Sequence, residues 1–214
     1  MTTIFDPIHG YVEITHLMQL IIDTPEFQRL RHLRQLGVTH HVFPSANHTR
    51  FEHSIGVSHL AKQMGKSLQR NQPELNINDR LIELWQIAGL IHDLGHGPFS
   101  HLYDDQVISH DDDEHEERGI AMFLKMIDQY GLPFEAHERI LLIQMINPDD
   151  KHKHHWQNQI VANKINQLDV DKMDYIMRDA YHIGMKCEGE YSRLIENARV
   201  KSIITDQSHH QHQH

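Results

Sequence analysis

The chain has 214 residues, enough for one domain with a sizeable core. Its 30 acidic residues outnumber 20 basic ones, and the formal net charge of -10 disfavours the basic face that sequence-independent binding to DNA or RNA requires. No apolar run reaches the roughly 18 residues of a membrane span, no basic-then-apolar leader opens the chain, and the lone Cys187 allows no disulfide within it. A cytoplasmic or nuclear location is expected, and Cys187, in a polar stretch, reads as inert.

In chain order, residues 8–14 read as a brief extended segment with a turn at His9-Gly10. Thr24-Pro25 reads as a helix start, and Phe27, Leu30, Leu33 and Leu36 at spacing three predict a helix that Gly37 stops. Residues 51–68 predict a second helix, with Ile55, Leu60, Ala61, Met64 and Leu68 inward. A turn over 73–79 leads to a third helix over 80–94, capped by Asn78 or Asp79. Residues 101–113 read as an acidic loop, 114–130 and 135–146 as helices, and 149–156 as a polar loop. Residues 159–182 predict one long helix, or two joined near Asp169, and 191–200 a last one. The expectation is an all-α bundle with a short extended segment, a single domain over 1–204 and a disordered His/Gln-rich tail over 205–214. Among the 22 histidines, the tail residues His209, His210, His212 and His214 and the loop residues His152, His154 and His155 read as solvated segments.

Four segments carry polar groups out of keeping with plain packing. Asn47-His48-Thr49-Arg50-Phe51-Glu52-His53-Ser54 stands at the start of a helix. His92-Asp93 ends one and runs into Gly95-His96-Gly97, with His101 beyond. His115-Glu116 opens another. Asp171, Tyr175 and Asp179, spaced by four, form one helical ridge with Lys172 beside them, a poor core stripe and a good wall for a polar ligand. His53, His92, Asp93 and Asp171 could give one divalent ion two imidazole nitrogens and two carboxylate oxygens. Such a set suits Fe, Mn, Zn or Ni, and metal-assisted hydrolysis of a phosphate ester is the chemistry it suggests.

Together these stretches, with Asp6-Pro7-Ile8-His9-Gly10 and residues 22–31, resemble the HD-domain phosphohydrolases. Within them the pattern is similar to the SAM-and-HD-domain deoxynucleoside triphosphate triphosphohydrolases, from about Asp6 to Val200. The resemblance implies an HD-domain helical bundle with His53, His92, Asp93 and Asp171 as metal ligands. It implies His96 and His115 at the reacting phosphate, His101 as general acid tuned by Asp104, and Glu116 ordering the attacking water. It implies Arg50 and Lys172 neutralising the triphosphate, and Gln35, Tyr175 and Asp179 holding the deoxyribose, Gln35 and Asp179 at its 3'-hydroxyl. Water attack at the α-phosphorus would release a deoxynucleoside and inorganic triphosphate, with Mg accompanying the nucleotide phosphates.

Asp23, Gln28 and Arg31 match the guanine-recognising part of the family's regulatory nucleotide site, and Arg193 matches one contact of a second nucleotide. Thr2-Thr3-Ile4-Phe5 lacks the basic residue expected beside them. Family members carry further sequence after the core, which contributes to the base pocket and the oligomer interface. Relaxed base selection is therefore expected here, and nucleotide-driven tetramerisation is not, although a homo-oligomer is compatible with the sequence. Two other readings stay open: a nucleotide phosphomonoesterase or phosphodiesterase of the same superfamily, and a catalytically silent nucleotide-binding regulatory homologue.

Overall fold

A computed structural model of the chain describes residues 2–98, 115–187 and 191–201. It is helix-rich with one small sheet. Strand β1 (Thr2–Asp6) pairs antiparallel with β2 (Gly10–Ile14), Thr2 opposite Ile14 and Asp6 opposite Gly10. The extended segment expected over 8–14 thus begins two residues late. The Asp6 carboxylate accepts the amides of Ile8 and His9 at 2.9 Å each and closes the turn there. Val12 and Ile14 alternate into the core, as strand periodicity requires.

Sequence reading assigns no element to residues 15–23, yet α1 (His16–Ile22) forms there. The Thr15 hydroxyl caps it by accepting the Met18 amide at 3.2 Å, and Leu17, Met18, Ile21 and Ile22 make its buried stripe. Helix α2 (Pro25–Gln28) starts as expected, with Thr24 as cap and Pro25 at the first position. It does not continue to Leu36. One 3-10 turn covers Arg29–His32, and Leu33 is then extended, at φ -105° and ψ 103°. The Arg50 amide donates to the Leu33 carbonyl at 2.8 Å and the Gln35 amide to the His48 carbonyl at 3.0 Å. Pairing with the chain that enters α3 therefore replaces further helical bonds, while Phe27, Leu30 and Leu33 are still buried.

The central pair is α3 (Arg50–Asn71) and α4 (Asp79–Ile91), the most extensive helix contact among the described residues. Glu52 accepts the Thr49 amide at 2.8 Å at the head of α3, and Asn78 accepts the Leu81 amide at 2.8 Å at the head of α4. Helix α4 ends at Ile91, earlier than the Leu94 expected, and His92 to Gly95 form turns. Beyond it lie α5 (His115–Tyr130) and α6 (Ala136–Ile146), close to their expected bounds. Trp85 of α4 is fully buried and donates its indole N–H to the Gln157 carbonyl at 3.0 Å, which anchors the loop after α6.

The helix expected over 159–182 begins only at Val170, as α7 (Val170–His182). Asn163 and Asp169 organise the preceding loop. Asn163 Oδ1 accepts the Ile165 amide at 3.0 Å, and the Asp169 carboxylate takes the amides of Asn163 and Lys172 at 2.9 Å each. Side chains that satisfy the backbone in this way compete with helix. Helix α8 (Tyr191–Glu196) is also shorter than expected, because Gln72 at the end of α3 pairs with both backbone groups of Val200 and draws the chain out. Helix α3 packs on α7 and α8 as well as α4, so its first turns face the start of α7 across the core.

Candidate active site

Helix α3 delivers His53 from its first turn, the end of α4 delivers His92 and Asp93, and α7 delivers Asp171 from its first turn. Facing ligand atoms of His53, His92 and Asp171 lie within 4.8 Å of one another. Nε2 of His53 is 2.9 Å from Asp171 Oδ1 and 3.6 Å from Asp93 Oδ2, and Nε2 of His92 is 3.4 Å from an oxygen of each carboxylate. All four expected metal ligands therefore converge. Asp93, His96 and His115 form a second such group, which adjoins the first where Asp93 approaches His92 and His53.

The outer partners decide which ring nitrogens face inward. His53 Nδ1 donates to Asp174 at 2.7 Å, and His92 Nδ1 donates to the Gly89 carbonyl at 2.7 Å. Each leaves Nε2 toward the cluster, the arrangement by which second partners orient metal-binding histidines. Nε2 of His92 is buried without a hydrogen-bond partner. An orphaned inward nitrogen beside two carboxylates fits a divalent cation, which would hold all of these donors at once.

Asp174 is wholly buried and is itself held by the fully buried Arg178, at 2.9 and 3.0 Å, and by His9 at 2.6 Å. Arg178 reaches on to Asp6 at 2.7 Å. The hairpin turn thus supports the His53 ring through two charged residues. This buried layer has no assigned role in the sequence reading, although an acid and an arginine four apart in α7 were a signal for it.

Burial opposes charge on His53, but the hydrogen bonds of Asp171 and Asp174 outweigh it and raise its pKa to about 10. His92 is also raised, the charges of Asp93 and Asp171 overcoming burial. Burial pushes Asp93 upward, and Arg50, His92 and His96 carry it well below the usual carboxylate range. His115 moves the other way, to about 4, through burial and the neighbouring His96.

Gly95 allows the approach of α5. A Cβ there would stand 2.0 Å from the His115 carbonyl oxygen. The rings of His96 and His115 consequently stack, 3.9 Å between centroids, and Glu116 lies 3.3 Å from His115 Nδ1. Beside the cluster opens a cavity of about 300 Å³ lined by His92, Asp93, His115, Glu116, Lys172 and Tyr175, and also by Lys164 and Asn163 from the loop before α7. That loop contribution was not anticipated, because those residues carry no motif.

Arg50 is buried and paired with Asp93. Gln35 and Asp179 do not line this cavity; both are joined to His48 instead. Gln28 and Arg31 hydrogen-bond to each other at 2.8 Å, Arg31 lies 3.5 Å above the Phe51 ring, and Asp23 is exposed in the turn before α2. Arg193 is exposed on α8. His101 and Asp104, like the tail histidines, lie outside the described residues. Among the described residues no helix is long and apolar enough to cross a membrane.

Comparison with known proteins gives the following. The HD domain family matches residues 50–179. The deoxynucleoside triphosphate triphosphohydrolase SAMHD1 of Bos taurus is 43% identical over 230 residues, covering 95% of this chain and 39% of the relative. The Homo sapiens protein of that name is 42% identical over 229 residues, covering 95% and 37%. A SAMHD1 homolog of Dictyostelium discoideum is 43% identical over 200 residues, covering 91% and 39%. The chain spans about two fifths of the length of these relatives.

Proposed function

The chain belongs to the HD-domain family, and we propose that it is a metal-dependent phosphohydrolase that cleaves deoxynucleoside triphosphates to deoxynucleoside and inorganic triphosphate. The observation that carries this reading is the grouping of His53, His92 and Asp171, with Asp93 3.4–3.6 Å from both histidines and both imidazole Nε2 atoms turned inward, on the edge of a cavity lined by lysines. The names of the relatives supply the substrate class. Residues 1–204 are read as one HD domain.

In this proposal the four converging residues hold one ion, Fe, Mn, Zn or Ni. When bound, it supplies Lewis-acid polarisation of a phosphoryl oxygen and a lowered pKa for water. Lys172, with Lys164 beside it, faces the cavity and offsets the charge of the triphosphate, to which Mg adds in solution. Arg50 contributes from behind Asp93. His96 and His115 contact the reacting phosphate; with its pKa about 4, His115 is neutral at pH 7 and acts as a hydrogen-bond partner rather than a charge. Glu116 orders the water that attacks the α-phosphorus, and His101, tuned by Asp104, protonates the departing 5' oxygen. Tyr175, Gln35 and Asp179 hold the sugar. Asp23, Gln28 and Arg31 are assigned to a regulatory nucleotide.

The test is an assay of the purified chain with each dNTP and Mn, Fe or Mg, beside Asp93→Ala, with products separated by chromatography. Deoxynucleoside plus triphosphate, lost in the variant, is the expected result. Release of monophosphate or free phosphate would replace this reading with another hydrolase of the family. Binding of nucleotide without any product would replace it with a regulatory role.

A further inference from the structure

Gln35 and Asp179 come from distant parts of the chain, and one residue without an assigned role joins them. His48 is 2% exposed. Its Nε2 lies 2.6 Å from Asp179 Oδ1, and its backbone carbonyl accepts the Gln35 amide at 3.0 Å. An ionised carboxylate only accepts, so Nε2 carries the proton and donates it. Nδ1 of His48 is buried with no partner. The ring is held flat against His182, 4.3 Å between centroids and 10° between planes, and His182 Nδ1 is in turn 3.2 Å from the Ser45 carbonyl. Finally, Oε1 of Gln35 is buried without a partner, an acceptor that awaits a donor.

We propose that His48 is a positioning residue for sugar recognition, which binds the Asp179 carboxylate and the Gln35 backbone into one unit presenting acceptors to a 3'-hydroxyl. The proposal rests on the reading of Gln35 and Asp179 as deoxyribose contacts. A carboxylate on a half-exposed helix face otherwise samples several rotamers, and fixing it beforehand removes that ordering cost from substrate binding. The consequence is discrimination: a 3'-hydroxyl gives its one proton to the Asp179 carboxylate or to Gln35 Oε1, and a triphosphate whose sugar lacks it leaves this acceptor pair without a donor and is rejected.

The experiment compares kcat/KM for a deoxynucleoside triphosphate and its 2',3'-dideoxy counterpart, using the full chain with Mn. His48→Phe keeps the stacking on His182 and removes the donor; His48→Leu is a second removal variant should the first not fold. The expected result is a fall of at least about tenfold in the ratio of the two values, the size that losing a hydrogen bond to a charged group gives. His48→Gln, with an amide donor, should restore most of the ratio. The double variant with Asp179→Asn should be no less selective than Asp179→Asn alone. A removal variant that lowers both substrates equally, or adds fully to Asp179→Asn, overturns the positioning role while leaving the sugar contacts standing. Wild-type protein that treats the two substrates alike, or turns over neither, overturns the sugar reading itself and this proposal with it.

Discussion

A Cβ on Gly56 would stand 2.0 Å from Oδ1 of Asp174, so the side chain that one residue lacks is the space the other's carboxylate fills. The nearest Arg178 nitrogen would be only 2.4 Å away. Helix α3 can therefore lie against the buried Asp174–Arg178 pair only because position 56 is empty. That close approach also brings His53, three residues earlier, within reach of Asp174.

Gly56→Ala is expected to force the pair aside. Overpacking of this kind costs about 1–3 kcal/mol, and the displaced Asp174 would release His53 Nδ1. The variant should show a lower melting temperature and weaker metal binding together. A drop in stability with metal affinity unchanged would separate the packing from the site.

Asp174→Asn is nearly isosteric but leaves Arg178 buried with half of its charge compensation gone. Loss of one partner of a buried pair is destabilising by about 3 kcal/mol or more. Because Asp174 also orients His53, metal affinity is expected to fall about 10- to 100-fold. Titration calorimetry beside thermal unfolding measures both.

The metal-free chain should release at least one proton as it takes up a divalent ion near neutral pH, from His53 and in part from His92, whose pKa is also raised. His53, with its pKa about 10, holds protons on both nitrogens until an ion takes the place of the one on Nε2. Calorimetry in buffers of differing ionisation enthalpy gives the count, and zero release would show that His53 is neutral beforehand.

The same groups set how the stability of the metal-free protein varies with pH. His53 is raised from 6.5 to about 10, so its contribution is fully present below pH 6.5 and is lost as pH rises through 10. His59 and His115 are lowered from 6.5 to about 4, chiefly by burial, so theirs is present above pH 6.5 and lost as pH falls through 4. Thermal unfolding with a chelator present should therefore peak near pH 6.5 and decline on both sides. Substituting His59 by Gln should flatten the acid side only.

Asp169→Ala removes the cap of α7 and the anchor of the 163–169 loop in one step. A lost cap costs about 1 kcal/mol. Asp171 stands two residues on, so metal affinity should fall as well. Asp169→Asn, which can still accept the Lys172 amide, should retain most of both. Equal loss in the two variants would assign the effect to the charge rather than to the cap.

Much of this was legible beforehand, for definite reasons. The apolar stripes of α4 and α5 and the caps at Thr24 and Asn78 are local, and local physics carried them through to the structure. The stretches 29–36, 159–168 and 197–200 departed from expectation for a common reason: each meets a partner far away in the chain or a side chain that satisfies its backbone. Leu33 and Gln35 pair with residues 48–50, Asp169 binds the Asn163 amide, and Gln72 holds Val200. Periodicity cannot register such bonds. The His16–Ile22 helix was missed, although its Thr15 cap and its apolar spacing are local signals for it.

For the site, the sequence by itself determined the inventory: imidazoles and carboxylates at helix starts and ends, an acid–phenol–acid ridge on one helix, and glycine where chain must pass close to chain. Those are properties of residue type and spacing within a single element. Only the tertiary structure decided that His9, Asp6 and Arg178 stand behind His53, that Arg50 is spent on Asp93, and that His48 joins Gln35 to Asp179. The physical reason is reach. The His9–Asp174 contact joins residues 165 positions apart, and a hydrogen bond or ion pair across such a separation exists only once the helices have packed.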